Sequence, residues 1–176
     1  MTSAQFEALL NNYGNSIFGF CYRLTGNTNM AEDLYQDSVF KAFGMLEKID
    51  CQNSDGFKTA KNYIIGIAVR LYKNQMRKKS FRDSSLSADD EVLIQMLRTD
   101  SDIVTETEQK ELRSAVKQLV ELLPDKLRIV TYMFYYAEMS LNEIAQQLHI
   151  PIGTAKSRLN RARANIKKEL EDKHYE

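Results

Sequence analysis

Apolar residues recur every three to four positions along almost the whole chain, and alternating runs of strand type are scarce. This pattern predicts an all-α protein. Over about 5–25, the stretch FEALLNNYGNSIFGFCYRLTG reads as one helix that Gly26 ends. Asn29, with Glu32 three residues on, resembles a capping box and predicts a second helix over about 30–48. A loop is expected at 50–58 and a third helix over about 59–79. The centre of that helix, 63–72, is apolar on most faces, which suits the middle of a bundle. Further on, a helix is expected near 107–122, then one over about 124–137 with Pro124 in its first turn. Ser140 and Glu143 have capping-box spacing and open a short helix, whose apolar stripe is Leu141, Ile144, Ala145 and Leu148. A turn at His149, Ile150 and Pro151 leads into a last helix over 153–170, so that helix, tight turn and helix follow one another as in a helix-turn-helix.

Charge divides the chain. The formal net charge is zero, so the total implies no partner, but the distribution does. Residues 66–82 hold six Lys or Arg and no acid, whereas 83–111 hold nine acids against two bases. The acidic stretch has few aromatics and reads as a flexible linker over 83–106, with a transient helix at 92–97. Two small helical domains are therefore expected, 1–82 and 107–176. The 43% hydrophobic content permits their cores, and two Pro and seven Gly leave long stretches free for helix. Cys21 and Cys51 are too few for a disulfide framework and are expected to be reduced and inert. There is no apolar run of membrane-spanning length, and the first residues lack a signal peptide's basic start and apolar core. The chain is expected to be cytoplasmic, without insertion into a membrane.

The last helix carries the clearest chemistry. Ala155, Leu159, Ala162, Ile166 and Leu170 share one face, and Ser157, Asn160, Arg161 and Ala164 point away from it. Asn pairs with adenine and Arg with guanine through two hydrogen bonds in the major groove. Lys156, Arg158, Arg163, Lys167 and Lys168 flank that face, and no acid occurs over 153–168. Such cations hold phosphates and set orientation without reading sequence. The bland reading, a solvated amphipathic helix with a basic bias, is weakened by the capping box, the small-residue turn and the wholly basic outer face.

Two other faces stand out. On the third helix Arg70, Lys73, Asn74 and Arg77 lie at i, i+3, i+4 and i+7, and Tyr63 sits two turns earlier on the same side. Cations beside an aromatic suit single-stranded DNA, in which phosphates are tracked and an exposed base stacks. The alternative is that Tyr63 is core and the bases form a solvated helix end. On the second helix Asp33, Gln36, Asp37 and Phe40 share one side, while Ala31, Leu34, Tyr35, Val39, Ala42 and Phe43 are placed to pack inward. Two carboxylates with an amide and an aromatic would repel DNA and suit a protein partner with basic residues. No nearby His or second acid cluster completes a catalytic or metal site, so no catalytic residue, metal or cofactor is expected.

The stretch IFGFCYRLTGNTNMAEDLYQDSVFKAF resembles region 2 of extracytoplasmic-function (ECF) sigma factors, most clearly in AEDLYQDSVFKAF. SLNEIAQQLHIPIGTAKSRLNRARANIKKEL resembles their region 4, most clearly in GTAKSRLNRAR, and LLPDKLRIVTYMFYY resembles the helix before it. The resemblance implies a transcription initiation factor that binds core RNA polymerase through the β′ clamp helices and the β flap. By position it assigns Asp33, Leu34, Gln36, Asp37 and Phe40 to the clamp. It places Tyr63, Arg70, Lys73 and Asn74, with the 50–58 loop beside them, at the melted −10 element. Lys156, Ser157, Asn160 and Arg161 match positions that read the −35 element. Arg70 stands where relatives commonly carry Asn, which leaves the identity of the captured base open. An anti-sigma factor is a further partner that the resemblance implies. Two rival readings start from the same residues: a DNA-binding regulator without a polymerase-docking face, and an enzyme with an accessory helix-turn-helix. The second is poor, since the chain has only two His, no Gly-rich phosphate loop and no Cys/His cluster.

Overall fold

The computed structural model describes residues 1–49, 56–80 and 107–174. Among them lie seven α-helices, one 3₁₀ turn and no strand. The chain divides into two compact units, Met1–Arg98 and Thr99–Glu176. The expected 83–106 linker, its 92–97 helix and most of the 50–58 loop fall outside the described residues.

The first unit is built on three helices: α1 (Ser3–Thr25), α2 (Thr28–Phe43) and α3 (Gly56–Ser80), each packed on the other two. Thr2 caps α1 in a reciprocal box with Gln5, a start signal absent from the sequence reading. Gly26 ends the helix in the left-handed conformation at φ 66°, where a side chain is disfavoured. Helix α2 starts earlier than the Asn29 signal suggested. Asn27 is the cap, and its side chain accepts the Met30 amide at 3.0 Å. The helix also stops earlier, at Phe43, and the chain tightens into a 3₁₀ turn at Leu46–Lys48. Helix α3 begins at Gly56, so residues 56–58 of the expected loop are helical. As its pattern foretold, α3 runs through the middle, and Ile64, Ile65, Ile67, Ala68, Val69 and Tyr72 are all buried.

The second unit contains α4 (Thr107–Glu121), α5 (Asp125–Tyr135), α6 (Leu141–Leu148) and α7 (Ile152–His174). Helix α7 packs on the other three. Pro124 sits just before α5 as its cap rather than inside the first turn, and its carbonyl accepts the Leu127 and Arg128 amides. The Ser140 box is present in full: the Glu143 carboxylate accepts the Ser140 amide at 2.7 Å, and the Ser140 hydroxyl accepts the Glu143 amide at 3.3 Å. Such a cap stabilises a short helix by about 1 kcal/mol. His149 then turns the chain in the left-handed conformation at φ 52°, and the Ile150 amide donates back to the Ala145 carbonyl at 3.0 Å. Ile144, Ala145, Ala155, Leu159 and Ala162 are buried on helices α6 and α7, which pack on each other.

Candidate nucleic-acid and partner interfaces

Helix α7 presents the face that its periodicity predicts. Lys156, Ser157, Asn160, Arg161 and Lys167 are exposed, and Arg158 is half-buried at the flank. Ser157 donates its hydroxyl proton to the Thr154 carbonyl at 3.0 Å, which leaves its oxygen lone pairs outward. Lys167 and Glu171 approach to 3.6 Å, both well exposed. A surface pair of this kind contributes at most about 1 kcal/mol, so it yields readily to a phosphate. Among the described residues no hydrogen bond, ion pair or ring contact ties down the exposed Asn160 and Arg161 side chains.

Sequence reasoning missed one feature beside this face. Arg163 donates its Nε–H to the Tyr135 hydroxyl at 2.8 Å. Its guanidinium carbon also lies 5.5 Å from the Phe134 ring and 5.6 Å from the Tyr135 ring. The partners are 28 residues apart, and the run Phe134, Tyr135, Tyr136 reads in sequence only as the end of a helix.

On α3, Arg70, Asn74 and Arg77 are exposed and Lys73 is half-buried. Arg77 donates to the Asn74 side-chain oxygen, which orients that amide along the helix surface. Tyr63 is half-buried and packs against the core of Phe6, Leu9, Ile17 and Ile64. Its hydroxyl donates to the Met45 sulfur at 3.4 Å. The ring thus has one side in the core and one edge at the surface. The stripe and the ring share a helix side, whereas most of the accompanying loop lies outside the described residues.

On α2, Asp33, Gln36 and Asp37 are exposed, and Phe40 is 80% exposed. Leu34, placed in the docking set by resemblance, is 0% exposed and lies in the core beneath this face. The inward set is corrected. Ala31, Leu34, Ser38 and Ala42 are buried, but Phe43 is half outside, tilted against Phe6 with ring centroids 5.8 Å apart. Phe40, Phe43 and Met45 form an exposed apolar edge at the end of α2. Cys21 lies in the core, where desolvation pushes its thiol from 9.0 up to about 12. Burial also raises the Tyr35 phenol, with Cys21 a second cause.

Known protein families match both parts of the chain. The family described as Sigma-70 region 2 matches residues 9–82, and Sigma-70 region 4 matches 113–166. The ECF RNA polymerase sigma factor SigW of Bacillus subtilis is 30% identical over 172 residues, 95% of this chain and 89% of the relative. The RNA polymerase sigma-H factor of Pseudomonas aeruginosa is 27% identical over 171 residues, 94% of this chain and 86% of the relative. Among solved structures, the sigma factor RpoE of Bartonella quintana, crystallised with the anti-sigma factor NepR, superposes with a TM-score of 0.68 at 20% identity. That match covers 95% of this chain and 97% of RpoE.

Proposed function

The chain belongs to the ECF sigma factors and serves transcription initiation, and from that premise we propose how its three faces divide the work. Residues 1–82 act as the unit that docks on core polymerase and captures the −10 element, and 107–176 as the unit that reads the −35 element. Asp33, Gln36, Asp37 and Phe40 meet the β′ clamp helices: two carboxylates attract a basic partner, and the outstanding Phe40 ring supplies an apolar anchor. Tyr63, Arg70, Lys73, Asn74 and Arg77 hold the melted −10 strand. Lys156, Ser157, Asn160 and Arg161 enter the major groove at −35, while Arg158 and Lys167 hold phosphates. The second unit also meets the β flap. An anti-sigma partner is supported by the crystallisation of the RpoE relative with NepR. The reaction chemistry belongs to the polymerase, and this chain supplies recognition. No helix among the described residues is long and apolar enough to cross a membrane, which is consistent with work in the cytoplasm.

The observation that carries this reading is the outer face of α7. It places an amide and a guanidinium at exposed positions on the second helix of a capped helix-turn-helix, over a buried apolar stripe. The direct test is promoter selection from a randomised library by core polymerase with the full chain, followed by the same selection with Arg161→Ala. Loss of preference at one or two −35 base pairs supports the assignment, and an unchanged −35 consensus removes it.

A further inference from the structure

We propose that Tyr135 and Arg163 form a pre-organised clamp for one DNA phosphate at the flank of α7, with Tyr135 as both orienting residue and second donor. The inference rests on the reading of α7 as the DNA-facing helix.

Arg163 falls seven residues after Lys156 and three after Asn160, so Lys156, Asn160, Arg163 and Lys167 form one stripe along the helix. That stripe borders the buried stripe of Ala155, Leu159 and Ala162. Arg163 lies on the side of that stripe nearest the buried one, so it faces the rim of a groove, where backbone phosphates run, while Asn160 lies further round toward the floor. An ordinary surface arginine samples many rotamers and loses that freedom when it binds. Arg163 is already held. Its Nε is committed to the Tyr135 hydroxyl at 2.8 Å, and its guanidinium rests against two rings at 5.5 and 5.6 Å. No other hydrogen bond, ion pair or ring contact of Arg163 or Tyr135 is present among the described residues beyond the Phe134–Tyr135 ring contact. Nη1 and Nη2 therefore keep their four N–H groups for an outside acceptor.

Tyr135 is 58% exposed, and its oxygen accepts from Arg163, so its own proton is free to be donated outward. The cluster is thus a set of donors with no competing acceptor in it, carrying an undiminished positive charge. A carboxylate in place of Tyr135 would fix the guanidinium equally well but would cancel that charge. A neutral hydroxyl fixes it and keeps the charge. Several convergent N–H and O–H donors around one cation match the oxygens of a phosphodiester.

The experiment uses the full chain with core polymerase and the tightest promoter duplex selected from a randomised library. Each −35 phosphate in turn is replaced by an uncharged methylphosphonate. The wild-type chain should lose roughly tenfold in affinity at one flanking phosphate, the order expected for one released counterion at 0.1 M salt. Arg163→Ala should bind the unmodified duplex roughly tenfold more weakly, flatten its salt dependence by about one unit, and be indifferent to that methylphosphonate. Tyr135→Phe keeps the ring and the charge. It should weaken binding about threefold with an unchanged salt slope, because an arginine no longer held loses pre-organisation but not charge. Should Arg163→Ala fold poorly, Arg163→Gln, which keeps much of the stem and removes the charge, carries the same comparison.

Wild-type affinities and methylphosphonate profiles for these variants, alongside an Arg161→Ala that has lost base preference, would overturn the clamp and leave the reading of α7 intact. A wild-type chain with no −35 preference at all would overturn both. A variant that binds duplex normally but loses core polymerase would assign the donors to an acidic protein surface and overturn the clamp.

Discussion

The hydroxyl of Tyr63 donates to the sulfur of Met45 across 3.4 Å, joining the outer edge of α3 to the turn that follows α2. The ring that would stack on a flipped base is therefore also part of the support of the first unit. Tyr63→Ala should lower its stability by about 2 kcal/mol, less than a fully buried aromatic would cost, as read by urea unfolding. Tyr63→Phe, which loses only a weak O–H to sulfur bond, should be within about 0.5 kcal/mol of wild type. On a promoter, Tyr63→Phe should keep permanganate reactivity at −10, and Tyr63→Ala should lose it on duplex but regain transcription on a pre-melted template. No regain in a variant that still binds polymerase would separate Tyr63 from melting.

Leu34 and Phe40 make opposite predictions from the same helix. Leu34→Ala should destabilise the first unit by about 2–5 kcal/mol, because it opens a cavity in a closed core. Phe40→Ala should leave the unfolding midpoint nearly unchanged and weaken association with core polymerase by about 1–3 kcal/mol. Asp37→Arg should also weaken association without unfolding. A folded Phe40→Ala and a folded Asp37→Arg of undiminished polymerase affinity would place docking on another surface.

The Cys21 thiol gives the fold a pH dependence on the alkaline side. Its proton is held more tightly in the folded state than in the unfolded chain, so its contribution is complete below pH 9.0 and is lost as pH rises toward about 12. Within that window the loss approaches about 1.4 kcal/mol per pH unit. Tyr35 titrates in the same direction. Comparing the slope of stability against pH for wild type and Cys21→Ala isolates the thiol, and equal slopes would contradict its burial. Iodoacetamide at pH 8 should modify Cys21 only after unfolding.

Backbone conformation gives a matched pair of substitutions. Glu138 lies in the left-handed region at φ 56°, just before the Ser140 cap, and Gly26 lies there at φ 66° with open space around its Cα. Glu138→Gly should stabilise the second unit by about 0.5–1 kcal/mol, and Gly26→Ala should destabilise the first by about 1–2 kcal/mol. Thermal unfolding of each variant checks both signs, and stabilisation by Gly26→Ala would contradict the cap.

What was legible in the sequence follows from the range of the forces involved. The Ser140–Glu143 box, the Gly26 stop and the stripes of α3 and α7 depend on neighbours within one or two turns, and these were read in place. Asn27 and Asn29 have the same capping chemistry, and local sequence did not separate them; the choice fell to how α1 hands the chain to α2. The helical period placed Phe43 inward, but α2 ends there and the ring lies half outside, tilted against Phe6. Leu34 was placed inward by period and at the docking face by resemblance, and packing decided for the core. The Tyr135–Arg163 pair joins α5 to α7, and no local pattern announces it.

Promoter-specific initiation on core polymerase is the property that all three faces serve. Its most direct measurement is run-off transcription with purified core polymerase, the full chain and no other sigma factor, on a promoter selected by that pair. A discrete transcript from a fixed start is expected. Arg161→Ala should alter promoter preference, while Asp37→Arg should abolish the transcript. If no transcript appears until another sigma factor is added, the chain is a DNA-binding regulator and does not itself initiate.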